Sequence, residues 1–280
     1  MAEEKKVKHV LGISGGKDSA ALAVYMRDNH PEIDIDYFFT DTGKELPEVY
    51  SFLSKLEGYL GKPILRLNPE RDFDFWLMQH NNFLPSAQAR WCTICMKLKP
   101  FESWVNKFLE DGYTVYSYVA IRSDEEYREG YQSRQENLKV VMPFRENGID
   151  KSGVTDILNY SGLGLPDYYK WRSRSGCTFC FFQRKIEWVG LLERHPEAFE
   201  EAKRYEKTAE KCGSPFTWSE KESLEELSKP ERVAQIKQDY EKRLERLKKQ
   251  RQANPLRPDD DEVDLDDLYG ASKVCLACGK

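Results

Sequence analysis

The stretch VLGISGGKDSAALAV, residues 10–24, decides the fold. It closes a run of apolar residues, VKHVLGI (7–13), that reads as a buried strand, and it ends in a pattern (Ala21, Leu22, Val24, Tyr25) that reads as a helix over 18–29. Between them lie Ser14, Gly15, Gly16, Lys17, Asp18 and Ser19. Glycines let successive backbone N–H groups face one anion, a helix N-terminus adds its positive dipole end, and Lys17 and the two serines supply further donors. The loop is a phosphate site in physical terms. It is not the G-x-x-x-x-G-K-[ST] nucleotide loop, because Leu11 stands at the first glycine and Asp18 where Ser or Thr would hold Mg²⁺. A G-x-G-x-x-G dinucleotide fingerprint is also absent.

Working outward, strands are expected at 34–40, 62–67 (KPILRL) and 114–121, with helices over 46–60, 72–80 and 97–109. Strands alternating with helices predict an α/β fold, a doubly wound parallel sheet covered on both faces. Ligands of such sheets bind beyond the carboxyl ends of the strands. Three polar loops fall there: the SGGKDS loop, Asp41-Thr42-Gly43, and Arg122-Ser-Asp124-Glu. Beyond residue 150 the strand signal fades, and helices are expected over 184–211 and 230–251. The latter region carries nine Lys/Arg from Lys229 onward against four acidic residues, on a stripe of Val233, Ile236, Tyr240, Leu244 and Leu247. Seven acidic residues then crowd into 259–267, which reads as a solvated linker. The expected organisation is a nucleotide-binding domain over 1–150, a helical region over 151–255, and an acidic linker with a mobile tail over 256–280.

The chain has 280 residues, 40% apolar and 32% charged, with net charge −5, which fits a globular enzyme and excludes a wholly disordered chain. Any contact with DNA or RNA must use a local patch. MAEEKKVKHV has no apolar core of a signal peptide, and no apolar run reaches membrane-spanning length, so a cytoplasmic location is expected. Six of the seven cysteines fall in C-x-x-C pairs: Cys92/Cys95, Cys177/Cys180 and Cys275/Cys278. In a reducing compartment such pairs suggest metal ligation or redox chemistry. Cys212 stands alone and reads as packing.

SGGKDS after a first strand resembles the pyrophosphatase loop of the PP-loop ATPases, whose fold is adenine nucleotide α-hydrolase-like. TDTGKELPEVYSFLSKLEGYLG, RWCTICMKLKP, AIRSDEEYR and SGCTFC resemble the phosphoadenosine phosphosulfate (PAPS) reductase-like branch, in motif order across about residues 7–200. The resemblance implies that the bound phosphates are those of ATP, cleaved between the α- and β-phosphates. Lys17 and Asp18 then carry the chemistry: Lys17 and the loop N–H groups stabilise the departing pyrophosphate, and Asp18 is assigned to Mg²⁺. Asp41, Thr42 and Gly43 would line the adenosine side, and Arg122 and Asp124 would close the same crevice.

The resemblance also bears on the cysteines. Two C-x-x-C pairs make a four-thiolate metal site of Cys92, Cys95, Cys177 and Cys180, where tetrahedral sulfur suits either zinc or an iron–sulfur cluster. Cys92 and Cys95 are read as leading into a helix, whose dipole with Lys97 and Lys99 would favour thiolates. Adenosine phosphosulfate (APS) reductases hold a [4Fe–4S] cluster at these two places, which favours iron–sulfur with zinc as the alternative. Their first pair is adjacent, however, whereas this chain has C-T-I-C. The tail thiols Cys275 and Cys278 could carry sulfur, resolve a disulfide, or be dispensable. YYKWRSRSG (168–176) mixes aromatics and cations as nucleotide or nucleic-acid contacts do, or as a loop covering the metal site.

Three functions are consistent with these residues. The first is an ATP pyrophosphatase that adenylates an acceptor so that sulfur can replace oxygen, similar to the enzymes of DNA phosphorothioation (the Dnd and Ssp systems) and more distantly of tRNA thiolation. It implies a cysteine desulfurase as sulfur donor, a DNA or tRNA acceptor and a DNA-handling partner, and it allows a homo-oligomer. The second is a sulfonucleotide reductase acting on PAPS or APS through a C-terminal cysteine. The third is a non-catalytic nucleotide- and cluster-bearing subunit of a defence complex. The complete loop, with Lys17 and Asp18, favours the first.

Overall fold

The computed structural model describes residues 6–253, apart from 69, 127, 129–134, 175, 212, 214–216, 220 and 221. Cys212, the acidic segment and the Cys275/Cys278 pair therefore lie outside the described residues. Five strands form one wholly parallel sheet: β1 (Val7–Gly12), β2 (Ile35–Phe39), β3 (Ile64–Arg66), β4 (Thr114–Tyr118) and β5 (Leu138–Val141). Their order is β3-β2-β1-β4-β5, with His9 opposite Ile35 on one side and Tyr116 on the other. The chain thus leaves β1 in one direction and returns on its far side as β4. This order change places a crevice at the carboxyl ends of β1 and β4, where ligands of open α/β sheets bind.

The sequence reason for a central β1 is its burial on both faces, with Val10 and Leu11 fully buried. Helices α1 (Lys17–Asn29) and α2 (Pro47–Leu60) follow β1 and β2. In α2 the residues Val49, Phe52, Leu53, Leu56 and Leu60 form one buried stripe, Pro47 opens the first turn, and Gly61 closes it in the left-handed conformation with its N–H on the Glu57 carbonyl. Then come α3 (Phe73–Gln79), α4 (Trp91–Thr93), a π turn (Ile94–Leu98) and α5 (Lys99–Glu110). The helix expected at 97 therefore begins at Trp91. Pro100 explains the widened turn: it has no N–H for the Met96 carbonyl, and the preceding Lys99 N–H reaches back to Ile94 instead. Phe101 and Val105 of α5 pack on Val10, Phe38, Val115 and Ile121, with the Phe38 and Phe101 rings stacked at 5.0 Å. Each such side chain contributes about 1.5–3 kcal/mol when fully buried.

Two elements here went unread in the sequence. β5 is a short edge strand of half-buried and exposed residues, with no alternation long enough to register. After the short α6 (Pro143–Glu146), α7 (Lys151–Tyr160) packs on α1 and is capped by Asp150, whose carboxylate accepts the Gly153 N–H at 2.9 Å. A 3₁₀ turn, Asp167–Lys170, follows.

The described chain divides into two compact units, the first running to Trp76 and again over Trp91–Cys177, the second comprising Leu77–Arg90 and the residues from Thr178. The second unit is helical: α8 (Lys185–Arg194), α9 (Pro196–Lys211), α10 (Leu224–Leu227) and α11 (Pro230–Ala253). The single helix expected over 184–211 is two, because Pro196 cannot continue α8 and instead opens α9. Trp188, Phe199 and Trp218 fill its core, and buried Glu206 accepts the Trp218 and Leu224 N–H groups. Glu222 ties this unit together by pairing with both Lys185 and Arg232. The Arg232 hydrogen bond, aided by Lys185 against burial, lowers its pKa from 4.5 to about 2. A depressed carboxylate stabilises the fold above its unfolded pKa, and that stability is lost as pH falls through the folded one. Urea unfolding midpoints should therefore fall between pH 4.5 and about 2, and Glu222→Gln should flatten that limb. An unchanged limb in the variant would exclude Glu222 as its source.

Candidate functional site

Three loops that the sequence placed at strand ends lie at the carboxyl edge of the sheet, and two of them meet through Asp18 and Arg122. After β1, Gly15 adopts φ +74°, a left-handed conformation that turns the chain into α1. Ser14 and Ser19 brace the turn: their hydroxyls lie 3.0 Å apart, and Ser14 N–H donates to Ser19 Oγ at 2.9 Å. Gly16 N–H donates to Ser14 Oγ at 3.3 Å. α1 opens at Lys17 after Gly16, which has no side chain to cap it, so its dipole end stays directed at the loop. A Cβ on Gly16 would sit 3.3 Å from both Ser14 Oγ and Tyr169 Oη, which explains the bare backbone there.

The two tyrosines of the aromatic–cationic stretch close on this loop. Tyr168 is fully buried and donates its hydroxyl to the Gly15 carbonyl at 3.1 Å. Burial, with Tyr169 alongside, pushes its pKa up and keeps it a donor. Tyr169 stacks on it at 4.6 Å and accepts the Lys17 N–H at 3.3 Å, and the Lys17 ammonium lies 5.4 Å from the Tyr169 ring centre. The sequence offered this stretch as a nucleotide or nucleic-acid contact or as a loop covering the metal site, and could not show that it touches the Ser14–Ser19 loop.

Arg122 and Asp124 join the same site through Asp18. The Arg122 guanidinium donates to Asp18 Oδ1 at 3.0 Å and to both oxygens of Asp124, at 2.9 and 3.2 Å. Burial opposes its charge, yet the hydrogen bonds to Asp124 and Asp18 and the nearby Glu125 raise its pKa. Parallel pairing of β1 and β4 explains the meeting, since adjacent parallel strands end side by side. Buried Glu125 went unread: it accepts the Arg122 N–H at 3.1 Å and pairs with Arg128 at 2.7 Å.

Asp41, Thr42 and Gly43 form a turn with its own partners. Asp41 accepts the Gly43 N–H and the Tyr50 hydroxyl, each at 2.8 Å, and Thr42 donates to buried Glu45 at 3.0 Å. Glu45 also escaped the sequence reading, because an acidic residue beside a polar loop shows no sign of burial. It links this turn to the cysteines. Cys177 Sγ donates to Glu45 Oε1 at 3.4 Å, with Lys97 Nζ 3.6 Å from the sulfur.

The expected four-cysteine metal site is not assembled among the described residues: no group of three or more His, Cys, Asp or Glu could hold a metal. Cys92, Cys95 and Cys177 belong to the first unit and Cys180 to the second. Cys92 and Cys95 lie inside the helical segment rather than ahead of it. Burial raises the Cys95 pKa against the opposing effect of Lys99, the reverse of the expected activation. Within the first unit, Cys92, Cys95 and Cys177 form no such group.

A family model covers most of the first unit. Residues 8–142 match the phosphoadenosine phosphosulfate reductase domain. The matched segment includes all three loops, Cys92 and Cys95, and stops short of Tyr168, Tyr169, Cys177 and Cys180. Over 204 residues the chain is 26% identical to an uncharacterized protein of Methanocaldococcus jannaschii, covering 71% of this chain and 47% of that one, so it spans about half of that relative's length. Among solved structures, a PAPS reductase from Candida auris in its phosphate complex aligns with TM-score 0.47 and 11% identity, covering 63% of this chain and 82% of that chain. A U34-tRNA thiolase from Methanococcus maripaludis with its [4Fe-4S] cluster aligns with TM-score 0.39 and 13% identity, covering 74% and 73%. No described helix is long and apolar enough to cross a membrane.

Proposed function

We propose that this chain is an ATP pyrophosphatase that adenylates a nucleic-acid acceptor for sulfur incorporation, with DNA favoured and tRNA the other acceptor class. The observation that carries the reading is the complete Ser14–Ser19 loop at the start of α1, joined through Asp18 to Arg122 at the end of the neighbouring strand. MgATP is the substrate. An acceptor oxygen attacks the α-phosphorus, the bond to the β-phosphate oxygen breaks, and pyrophosphate leaves against Lys17 and the loop N–H groups. A persulfide on a partner desulfurase then displaces AMP, which departs with the acceptor oxygen, and a thiol cleaves the remaining S–S bond. In this reading Arg122, balanced by Asp18 and Asp124, holds the phosphates in line. No step uses a metal bound by the cysteines.

Sulfonucleotide reduction is the second reading, favoured by the family match over 8–142 and by the terminal thiol pair. One experiment separates the two. The full chain is given MgATP with a desulfurase, cysteine, a thiol and nucleic acid, and separately PAPS or APS with a thiol and no ATP. Pyrophosphate release and sulfur in the nucleic acid are expected from the first mixture and no sulfite from the second. Sulfite without ATP would overturn the proposal.

A further inference from the structure

The phosphate loop is held from a part of the chain that the family match does not reach. Tyr168 and Tyr169 lie beyond residue 142, in the 3₁₀ turn Asp167–Lys170. Local bonds fix that turn. Pro166 sets its entry at φ −51°, and the Pro166 carbonyl accepts the Tyr169 N–H at 3.0 Å. The Tyr168 carbonyl accepts the N–H groups of Trp171 and buried Arg172, at 3.2 and 3.0 Å. The two rings stack at 4.6 Å, and both hydroxyls come within 3.7 Å of where a Gly16 Cβ would stand.

The two hydroxyls act on the loop in opposite senses. Tyr168 donates to the Gly15 carbonyl, and Tyr169 accepts the Lys17 N–H. Those groups belong to the peptide units on either side of Gly16, so one turn sets both planes. Gly16 cannot do this for itself, because glycine leaves φ and ψ the least restrained. Tyr169 acts a second time through its ring, whose centre lies 5.4 Å from the Lys17 ammonium. A lysine ammonium is a point charge on a long flexible stem, useful in a site only where something directs it. Both ends of Lys17, backbone and charge, meet the same tyrosine.

We infer that Tyr169 is a positioning residue for Lys17, fixing its backbone through the hydroxyl and the direction of its ammonium through the ring. Its effect on turnover rests on the proposed function, whereas its effect on pyrophosphate binding does not. The two contributions are separable. The hydroxyl holds a backbone N–H that any residue at position 17 keeps, and the ring serves only a residue that carries a cation there.

Double-mutant cycles in the full-length protein test this, read in kcat and KM for pyrophosphate release from MgATP. Tyr169→Phe removes the acceptor and keeps the ring, and should lower kcat about fivefold. Tyr169→Leu removes both and should lower kcat on the order of 30-fold, with KM changed less than about threefold. In a Lys17→Ala background Tyr169→Phe should still cost about fivefold, and Tyr169→Leu should cost no more than Tyr169→Phe. If the leucine variant stays several-fold worse than the phenylalanine variant without Lys17, the ring acts by stacking on Tyr168 and the inference is overturned. Wild-type kcat in Tyr169→Leu, with a lowered urea midpoint, would overturn it too, as the mark of a residue that only holds the fold. If the wild type releases no pyrophosphate, the proposed function falls and the same cycle is read in pyrophosphate binding by calorimetry. There Tyr169→Leu should bind about fivefold more weakly than Tyr169→Phe, and equally once Lys17 is replaced. Equal binding by the two variants with Lys17 intact would overturn the inference, and a wild type that binds no pyrophosphate would end both readings.

Discussion

Lys17→Ala should reduce pyrophosphate release at least about 100-fold while leaving the protein folded, since removing one donor aimed at developing transition-state charge costs about 10²–10³ in rate. Lys17 is buried, its N–H is held by the Tyr169 hydroxyl and its ammonium lies 5.4 Å from the Tyr169 ring centre. Such a lysine is preorganised, so it meets the leaving pyrophosphate without first ordering a flexible chain. Truncation leaves the backbone donors and the dipole of α1 in place, so ATP binding should weaken less than turnover. Its structural cost should be small, because a cation–π contact contributes about 0.5–2 kcal/mol. Circular dichroism and the urea midpoint check folding, and a coupled pyrophosphate assay checks turnover. A folded variant with wild-type turnover would remove Lys17 from the chemistry. Asp18→Ala asks a different question, because it strips Arg122 of one carboxylate and leaves the bidentate pair with Asp124. Its effect should appear in the rate, through a shifted guanidinium.

The first βα unit was legible because its signals are local: an apolar run, a glycine turn, then helical periodicity. The carboxyl-edge placement of the Asp41 and Arg122 loops was legible for the same reason, as each follows a strong strand. What joins them was not. That Arg122 meets Asp18 depends on β4 lying beside β1, a pairing across more than a hundred residues that no local pattern encodes. Tyr168 and Tyr169 illustrate the same limit, since their composition announced contact chemistry while their target lies about 150 residues away. Pro100 and Pro196 were visible in the sequence, but each acts by removing one N–H, so the widened turn and the broken helix follow only once the surrounding helices exist. The cysteines show a related limit: their spacing suggested a shared metal, but not that Cys177 meets the carboxylate of buried Glu45 and the ammonium of Lys97.

Gly15→Ala should be as damaging as loss of Lys17, and for a reason that a second substitution can dissect. Two costs add. A side chain at φ +74° is strained by about 1–2 kcal/mol. The new methyl would also lie 2.6 Å from Val49 Cγ1, a fully buried atom of α2 that cannot swing aside. The same valine stands 2.4 Å from where a Cβ of Gly176 would be, so it is wedged between the phosphate loop and the segment entering Cys177. The loop must therefore shift, and a displacement of about 1 Å at a catalytic site costs on the order of 100-fold in rate. Val49→Ala alone should leave the loop in place and destabilise the fold by on the order of 2 kcal/mol through the cavity it opens. In the double variant the collision is gone and only the strain remains. Turnover should then recover at least tenfold over Gly15→Ala, although Val49→Ala is itself destabilising. That opposite sign in rate and stability is the signature of a steric contact, and a double-mutant cycle measures it directly. Additive losses in turnover would mean that strain at Gly15 alone positions the loop. Recovery would show that α2 sets the place of the phosphates by where Val49 stands.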